Sequence, residues 1–182
     1  MSHKLFPSQQ PNEKIMLVVR EHWFLLALKF SIIFILMIAP IVIRIIIAAL
    51  NVQFDSDLIT NISIVGVQLY YLGLLIALFV IWVLYYLNVH IVSDQRIVDI
   101  DQVGLLFREV SELNIETIED VTSQNTGVFG NILDYGTVYI QTAGAAQRFE
   151  FTNVPNPGKI ASLILQLYEQ HSNTQGKEQP KP

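Results

Sequence analysis

Hydrophobic residues fill two long stretches in the first half of the chain, with no polar face in either. The first covers residues 23–50, and the second, residues 62–87, contains no charged residue. A membrane-spanning helix needs roughly 20 predominantly apolar residues. A helix of a soluble protein rarely stays apolar on every face over such a length. The pattern therefore predicts a transmembrane hairpin over residues 23–87, with a short connector at residues 51–61.

The first predicted helix contains two basic residues. Lys29 lies near its start and Arg44 near its end, so each charge can extend to the nearer membrane surface. Arg44 can alternatively make a polar contact inside the bilayer, although the extended arrangement is favoured. Arg44 is therefore a candidate intramembrane polar contact.

Basic residues are distributed unevenly around the two predicted helices. Lys14, Arg20 and Lys29 precede or begin the first helix, whereas the connector contains Asp55 and Asp57 and no Lys or Arg. Short loops rich in Lys and Arg remain in the cytoplasm. The connector is therefore expected outside the cell and both termini inside, with residues 1–22 as a cytoplasmic N-terminal segment.

From residue 88 the pattern changes to short strands separated by turn residues. Apolar and polar positions alternate over residues 137–141, for example, as in a half-buried strand. Six or seven such strands precede an amphipathic helix that starts at Pro157. This order predicts a mainly-β barrel or sandwich capped by a C-terminal helix over residues 88–171. The polar tail, residues 172–182, is predicted to be disordered.

Several stretches of this domain carry a resemblance to a known family. They read VHIVSDQRIVDID, SELNIETIEDVTSQNTGVFGNILDYGTVYIQTAG and FTNVPNPGKIASLI, and NEKIMLVVREHW precedes the first apolar run. Together they resemble the bacterial pleckstrin-homology (PH)-like membrane proteins of the YdbS-like type. That family's T-N-Q-R turn stands here as Ser93, Asp94, Gln95 and Arg96. The resemblance implies a PH-like domain anchored in the bacterial inner membrane, but no activity, because such folds host unrelated functions.

Candidate catalytic groups are few. The four histidines have no metal-ligand spacing, and the chain has no cysteine, P-loop or GxGxxG motif. His90 lies near Asp94, Asp99 and Asp101, which a membrane hydrolase could use. Strand alternation does not require these groups to converge, so a solvated strand surface is the favoured interpretation. The sequence predicts no enzyme activity, no cofactor and no metal.

Charge narrows the choice of partner. Hydrophobic residues make up 52% of the chain and charged residues 15%, against about 25% charged residues in soluble proteins. From residue 88 onward, six Lys and Arg oppose twelve Asp and Glu, with no basic cluster. Phosphoinositide headgroups and nucleic acids both require clustered basic residues, so neither is an expected ligand. The expected partners are the lipid bilayer and a protein, which includes a second copy of this chain.

Residues 125–136 place several apolar side chains between glycines. Exposed together, they would form a patch suited to a partner or to the bilayer interface. The favoured alternative is a short turn that plugs the end of the barrel. The candidate interaction residues are Val128, Phe129, Ile132 and Leu133.

Two functional hypotheses follow. The first is a non-enzymatic scaffold or protein-interaction module at the cytoplasmic face, which could accept a partner strand at an exposed sheet edge. The second is a lipid-handling or transport-accessory membrane subunit in which Arg44 contacts lipid or substrate.

Overall fold

A computed structural model describes residues 6, 8–51, 57–142 and 149–178, with side chains described up to residue 172. The chain divides into two units. The helical unit is Trp23–Tyr85, and the β unit combines Met1–His22 with Tyr86–Pro182.

The helical unit contains two long apolar helices, α1 (Trp23–Ala49) and α2 (Asp57–Leu87). Both are long and apolar enough to cross a membrane. α2 starts five residues earlier than the apolar run predicts, because a carboxylate in the first turn stabilises the N-terminus of a helix. Residues 52–56 of the predicted connector lie outside the described residues.

Two tyrosine hydroxyls of α2 donate to backbone carbonyls of α1. Tyr70 Oη donates to the Leu36 oxygen at 2.7 Å, and Tyr71 Oη donates to the Met37 oxygen at 3.0 Å. Pro40 lies inside α1 and has no N–H, so the Leu36 carbonyl lacks its usual donor four residues later. The Tyr70 hydroxyl supplies that missing hydrogen bond.

The β unit contains two antiparallel sheets. The strands of the first sheet lie in the order β1 (Ile15–Val19), β2 (Val89–Ser93), β3 (Arg96–Val103) and β4 (Phe107–Asn114). The second sheet contains β5 (Ile118–Asn125), β6 (Tyr135–Thr142) and β7 (Phe149–Pro155). A short helix, α3 (Gly127–Leu133), connects β5 to β6, and α4 (Pro157–Glu178) follows β7.

The main core lies between the sheets and α4. From α4 it includes Ile160, Ile164 and Leu167, whose helical spacing places them on one face. A second, smaller cluster packs on the other side of the first sheet, where Phe6 covers Ile91, Val98 and Ile100. Strand β2 and the first half of β3, up to Ile100, are therefore buried on both of their faces.

The predicted sandwich with a C-terminal helix is confirmed, whereas the barrel alternative is not, because the two sheets remain separate. β1 comes from the N-terminal segment and pairs with β2. The two long helices are thus inserted between neighbouring strands of one sheet. α4 continues to Glu178, so residues 172–178 are helical where the sequence predicts disorder; residues 179–182 lie outside the described residues.

Candidate interaction surface

The chain leaves the β unit for α1 and returns from α2 at the same end of that unit. Val19, the last residue of β1, pairs with His90 near the start of β2. Just beyond this pair, the guanidinium carbon of Arg20 lies 5.7 Å from the ring centroid of Tyr86. We refer to the end of the β unit marked by Arg20, Tyr86 and Asn88 as the helix-proximal end.

The turn between β3 and β4 lies at the helix-proximal end. Val89, the first residue of β2, pairs with Ile100, so the last three residues of β3 extend past the start of β2. The backbone N–H of Gln102 donates to Asn88 Oδ1 at 2.7 Å. This hydrogen bond joins the extended part of β3 to the residue that follows α2.

The tip of this hairpin is apolar and exposed. Gly104 adopts a left-handed conformation with φ of 68°, which permits the tight reversal. The flanking hydrophobic side chains have exposed fractions of 58% for Val103, 58% for Leu105, 87% for Leu106 and 72% for Phe107. The sequence-based predictions missed this feature. The available signal is the unbroken apolar string VGLLF, because hairpin turns ordinarily carry polar residues.

The candidate interaction residues of the 125–136 segment lie on α3. The exposed fractions are 73% for Val128, 61% for Phe129 and 72% for Ile132, whereas Leu133 is half-buried. The interpretation of this segment as a plug is therefore wrong for Val128, Phe129 and Ile132, which are all exposed. The reason is Gly130, which is the buried residue of α3; a Cβ there would lie 2.7 Å from the backbone oxygen of Tyr135.

α3 also lies at the helix-proximal end. The backbone N–H of Thr126 donates to the Tyr135 oxygen, so both ends of α3 lie close to the start of β6. The ring of His22, the residue before α1, stacks on Tyr135 with centroids 5.2 Å apart. The His22 backbone N–H donates to the Asn153 oxygen at 2.7 Å. Burial lowers the pKa of His22.

His90 is buried, contrary to the solvated surface expected from the sequence. Its Nδ1 lies 2.7 Å from Asp99 Oδ1, and the nitrogen is the donor because an ionised carboxylate can only accept. The other side of the contact is apolar, since the imidazole centroid lies 4.5 Å from that of Phe151. His90 therefore lies inside the sandwich, in a pair that joins β2 to β3.

The carboxylates near His90 in the sequence do not form one site. Asp101 lies on the exposed part of β3. The loss of part of its hydration there, together with the charge of Asp99, raises the pKa of Asp101. Asp94 lies at the opposite end of β2, where its Oδ1 accepts from the Lys14 backbone N–H at 2.9 Å. Among the described residues, no group of three or more His, Asp and Glu side chains could hold a metal ion.

The turn after β2 is fixed by the N-terminal segment. Ser93 Oγ donates to the buried carboxylate of Glu13 at 2.6 Å, and Arg96 lies between Glu13 and Glu112, with nitrogen–oxygen distances of 3.3 and 2.9 Å. Hydrogen bonds from Ser8 and Arg96 lower the pKa of Glu112. These contacts give the Ser93–Arg96 turn a structural role.

Arg44, the candidate intramembrane contact, is exposed on α1, five residues before that helix ends. The exposed surface of Arg44 is compatible with both interpretations that the sequence leaves open. Its role stays a prediction.

Comparisons with known proteins place this architecture in a family. Residues 22–168 match the family model described as Bacterial PH domain, a match that includes both long helices and both sheets except β1. A solved structure of a DUF1696 family protein with a pleckstrin-homology domain, from Shewanella loihica PV-4, is 13% identical, with a TM-score of 0.37. That similarity covers 44% of this chain and 70% of the other. No curated protein matches. Because the family model spans most of its length, the chain belongs to the bacterial PH domain family.

Proposed function

We propose that this protein is a non-enzymatic scaffold, held at the cytoplasmic face of the bacterial cell membrane by α1 and α2. The observation that carries the proposal is the insertion of both helices between β1 and β2. Since Val19 and His90 are partners, both connections leave from the helix-proximal end. Two such connections hold the β unit close to the membrane surface.

The surfaces of α1 and α2 support membrane insertion. Both helices expose isoleucine, leucine, valine and phenylalanine along most of their length. Water-soluble monomers rarely expose contiguous apolar surface above a few hundred Å², whereas lipid is the natural solvent for such surfaces. The excess of Lys and Arg before α1 supports a cytoplasmic position for the β unit.

β4 supports a role in recruiting a protein. It pairs with β3 along its whole length, and within the described residues it is an edge of the first sheet. The N–H and C=O groups on the far side of an edge strand can accept an added strand from another chain. Arg108 and Val110 are exposed on β4, so an incoming strand would meet accessible side chains as well as backbone.

Topology can be tested directly because the chain has no cysteine. Single-cysteine variants Asp57→Cys and Lys159→Cys use exposed positions, one at the start of α2 and one in α4. In intact cells, a membrane-impermeant maleimide is expected to label Asp57→Cys, and Lys159→Cys only after permeabilisation. The reverse pattern would refute the orientation, and release of the protein by alkaline carbonate would refute membrane anchoring.

Recruitment can be tested with a photo-crosslinking amino acid at Val110. Leu165 on α4 is a matched control, since the exposed fractions are 38% for Val110 and 37% for Leu165. In native membranes, we expect a protein cross-link at Val110 that Leu165 does not give, either to another protein or to a second copy. Equal cross-linking at both positions, or none, contradicts recruitment through β4.

A further inference from the structure

We propose that the helix-proximal end of the β unit inserts into the membrane interface through two apolar protrusions. The first is the hairpin tip, Leu105, Leu106 and Phe107, and the second is the α3 face, Val128, Phe129 and Ile132. This inference rests on the proposed function, because it requires α2 to cross the bilayer. It adds a second type of membrane contact, made by the PH-like domain itself.

The position of the hairpin tip follows from strand register. α2 ends at Leu87, and Asn88 is hydrogen-bonded to Gln102. β3 then continues to Val103, three residues past the partner of Val89. At about 3.3 Å per residue the strand extends roughly 10 Å in the direction from which the chain arrives. A membrane-bound amphipathic segment lies about 5–10 Å deep at the headgroup boundary, so the tip can reach that depth.

The chemistry of the tip fits lipid. The five residues from Val103 to Phe107 contain no charged or hydrogen-bonding side chain, and Leu106 is 87% exposed. Arg108 directly follows the tip, and a long basic side chain can cover apolar surface with its stem while its charge stays among the headgroups.

The α3 face lies beside the other connection. α3 leads into Tyr135, and Tyr135 stacks on His22, which is followed directly by α1. Within the β unit, the two protrusions therefore lie beside the two places where the chain leaves this unit and returns to it. A lipid surface is the one partner that must be present at both places if α1 and α2 span the membrane.

Charge argues for apolar insertion over headgroup recognition. From residue 88 onward the chain has twice as many Asp and Glu as Lys and Arg, so an anionic lipid surface repels the β unit as a whole. Apolar side chains insert into neutral lipid equally well. The contact should therefore require no anionic lipid.

The test uses the full chain, reconstituted at low protein density in phosphatidylcholine vesicles. An environment-sensitive fluorophore is attached to single cysteines at Leu106→Cys and Ile132→Cys. The control is Asn114→Cys, an exposed residue at the other end of β4, roughly 24 Å from Phe107 at 3.4 Å per residue. At Leu106 and Ile132 we expect emission at shorter wavelength and strong quenching by lipid that carries a spin label on its acyl chain. At Asn114 we expect the emission of a water-exposed dye.

The outcomes separate this inference from the proposed function. Water-like emission at Leu106 or Ile132 in protein that resists carbonate extraction overturns the inference and leaves the anchor intact. Protein that carbonate removes overturns the proposed function itself. Short-wavelength emission without quenching by the spin-labelled lipid, together with cross-links to a second copy, overturns the inference in favour of self-association. A requirement for phosphatidylglycerol in the vesicles also overturns it, in favour of headgroup recognition.

Discussion

The His90→Ala substitution tests whether the buried His90–Asp99 pair stabilises the sandwich. The pair joins β2 to β3, and His90 also packs against Phe151 of β7. If this role is structural, removal of the imidazole should loosen all three strands. A catalytic role, as in the hydrolase hypothesis, would instead alter an activity and leave the strands unchanged.

The expected magnitude combines two losses. Removing a buried ring leaves a cavity, and since imidazole is smaller than the phenyl ring of the Phe→Ala series, we take about 2 kcal/mol. Asp99 then loses its partner, and because its side chain is only 17% exposed the unpaired carboxylate costs about 1–2 kcal/mol more. The total is a destabilisation of about 3–4 kcal/mol.

Hydrogen exchange measured by mass spectrometry on the full chain in detergent reports the opening free energy of each strand. Peptides from β2, β3 and β7 should exchange faster in His90→Ala, while peptides from α1 and α2 should not change. A double-mutant cycle of His90→Ala and Asp99→Ala isolates the contribution of the pair. We expect an interaction free energy of about 1–2 kcal/mol between the two side chains. A coupling of zero, or unchanged exchange in β2 and β3, would refute the structural role.

Three further predictions concern separate parts of the chain. Gly136→Ala should destabilise the second sheet by about 3 kcal/mol in thermal unfolding, because the new Cβ would lie 2.1 Å from the Gln124 oxygen. Gly158→Ala is the neutral control, because the space around Gly158 is open. Because the pKa of His22 is lowered in the folded state, the unfolded state takes up a proton first as the pH falls. The contribution of neutral His22 to the free energy of unfolding is therefore complete above pH 6.5. It is lost as the pH falls through the lowered pKa of the folded state. His22→Phe should remove this dependence from denaturation curves recorded between pH 5 and 8. Arg44→Leu should leave the membrane abundance of the protein and its β4 cross-link unchanged, whereas loss of the cross-link at normal abundance would favour a functional intramembrane charge.

Some elements were readable from the sequence because their signals are local. The two long helices show as apolar runs, and α4 shows as the helical spacing of Ile160, Ile164 and Leu167. The alternation over residues 137–141 likewise marks β6, whose inner face packs in the core while Tyr139 and Gln141 are more exposed. In these elements, neighbouring residues alone determine which side faces the core.

Other elements depend on distant partners and were missed. β1 pairs with β2 about 70 residues later, and no local pattern records that pairing. β2 is buried on both faces, since Val92 faces the main core and Ile91 faces the cluster around Phe6. Alternation therefore cannot assign a face to His90, and the expectation that it is solvated was wrong.

The candidate interaction residues illustrate a different limit. The seven residues of α3 are too few to establish a helical period, and apolar residues in a turn ordinarily suggest burial. Which side of α3 is buried depends on Gly130, because this residue packs closely against the start of β6. Val128, Phe129 and Ile132 are therefore directed outward. Such an approach becomes visible only in three dimensions.

The insertion of α1 and α2 between two paired strands imposes an order on biosynthesis. β1 leaves the ribosome first, yet its partner β2 is translated only after both apolar helices. Under the proposed membrane anchoring, sheet assembly waits until the insertion machinery has accepted the helical pair, and β1 remains unpaired meanwhile. Conversely, a fragment that starts at residue 88 lacks β1 and exposes the β2 edge, so a recombinant domain trimmed at this residue is expected to aggregate.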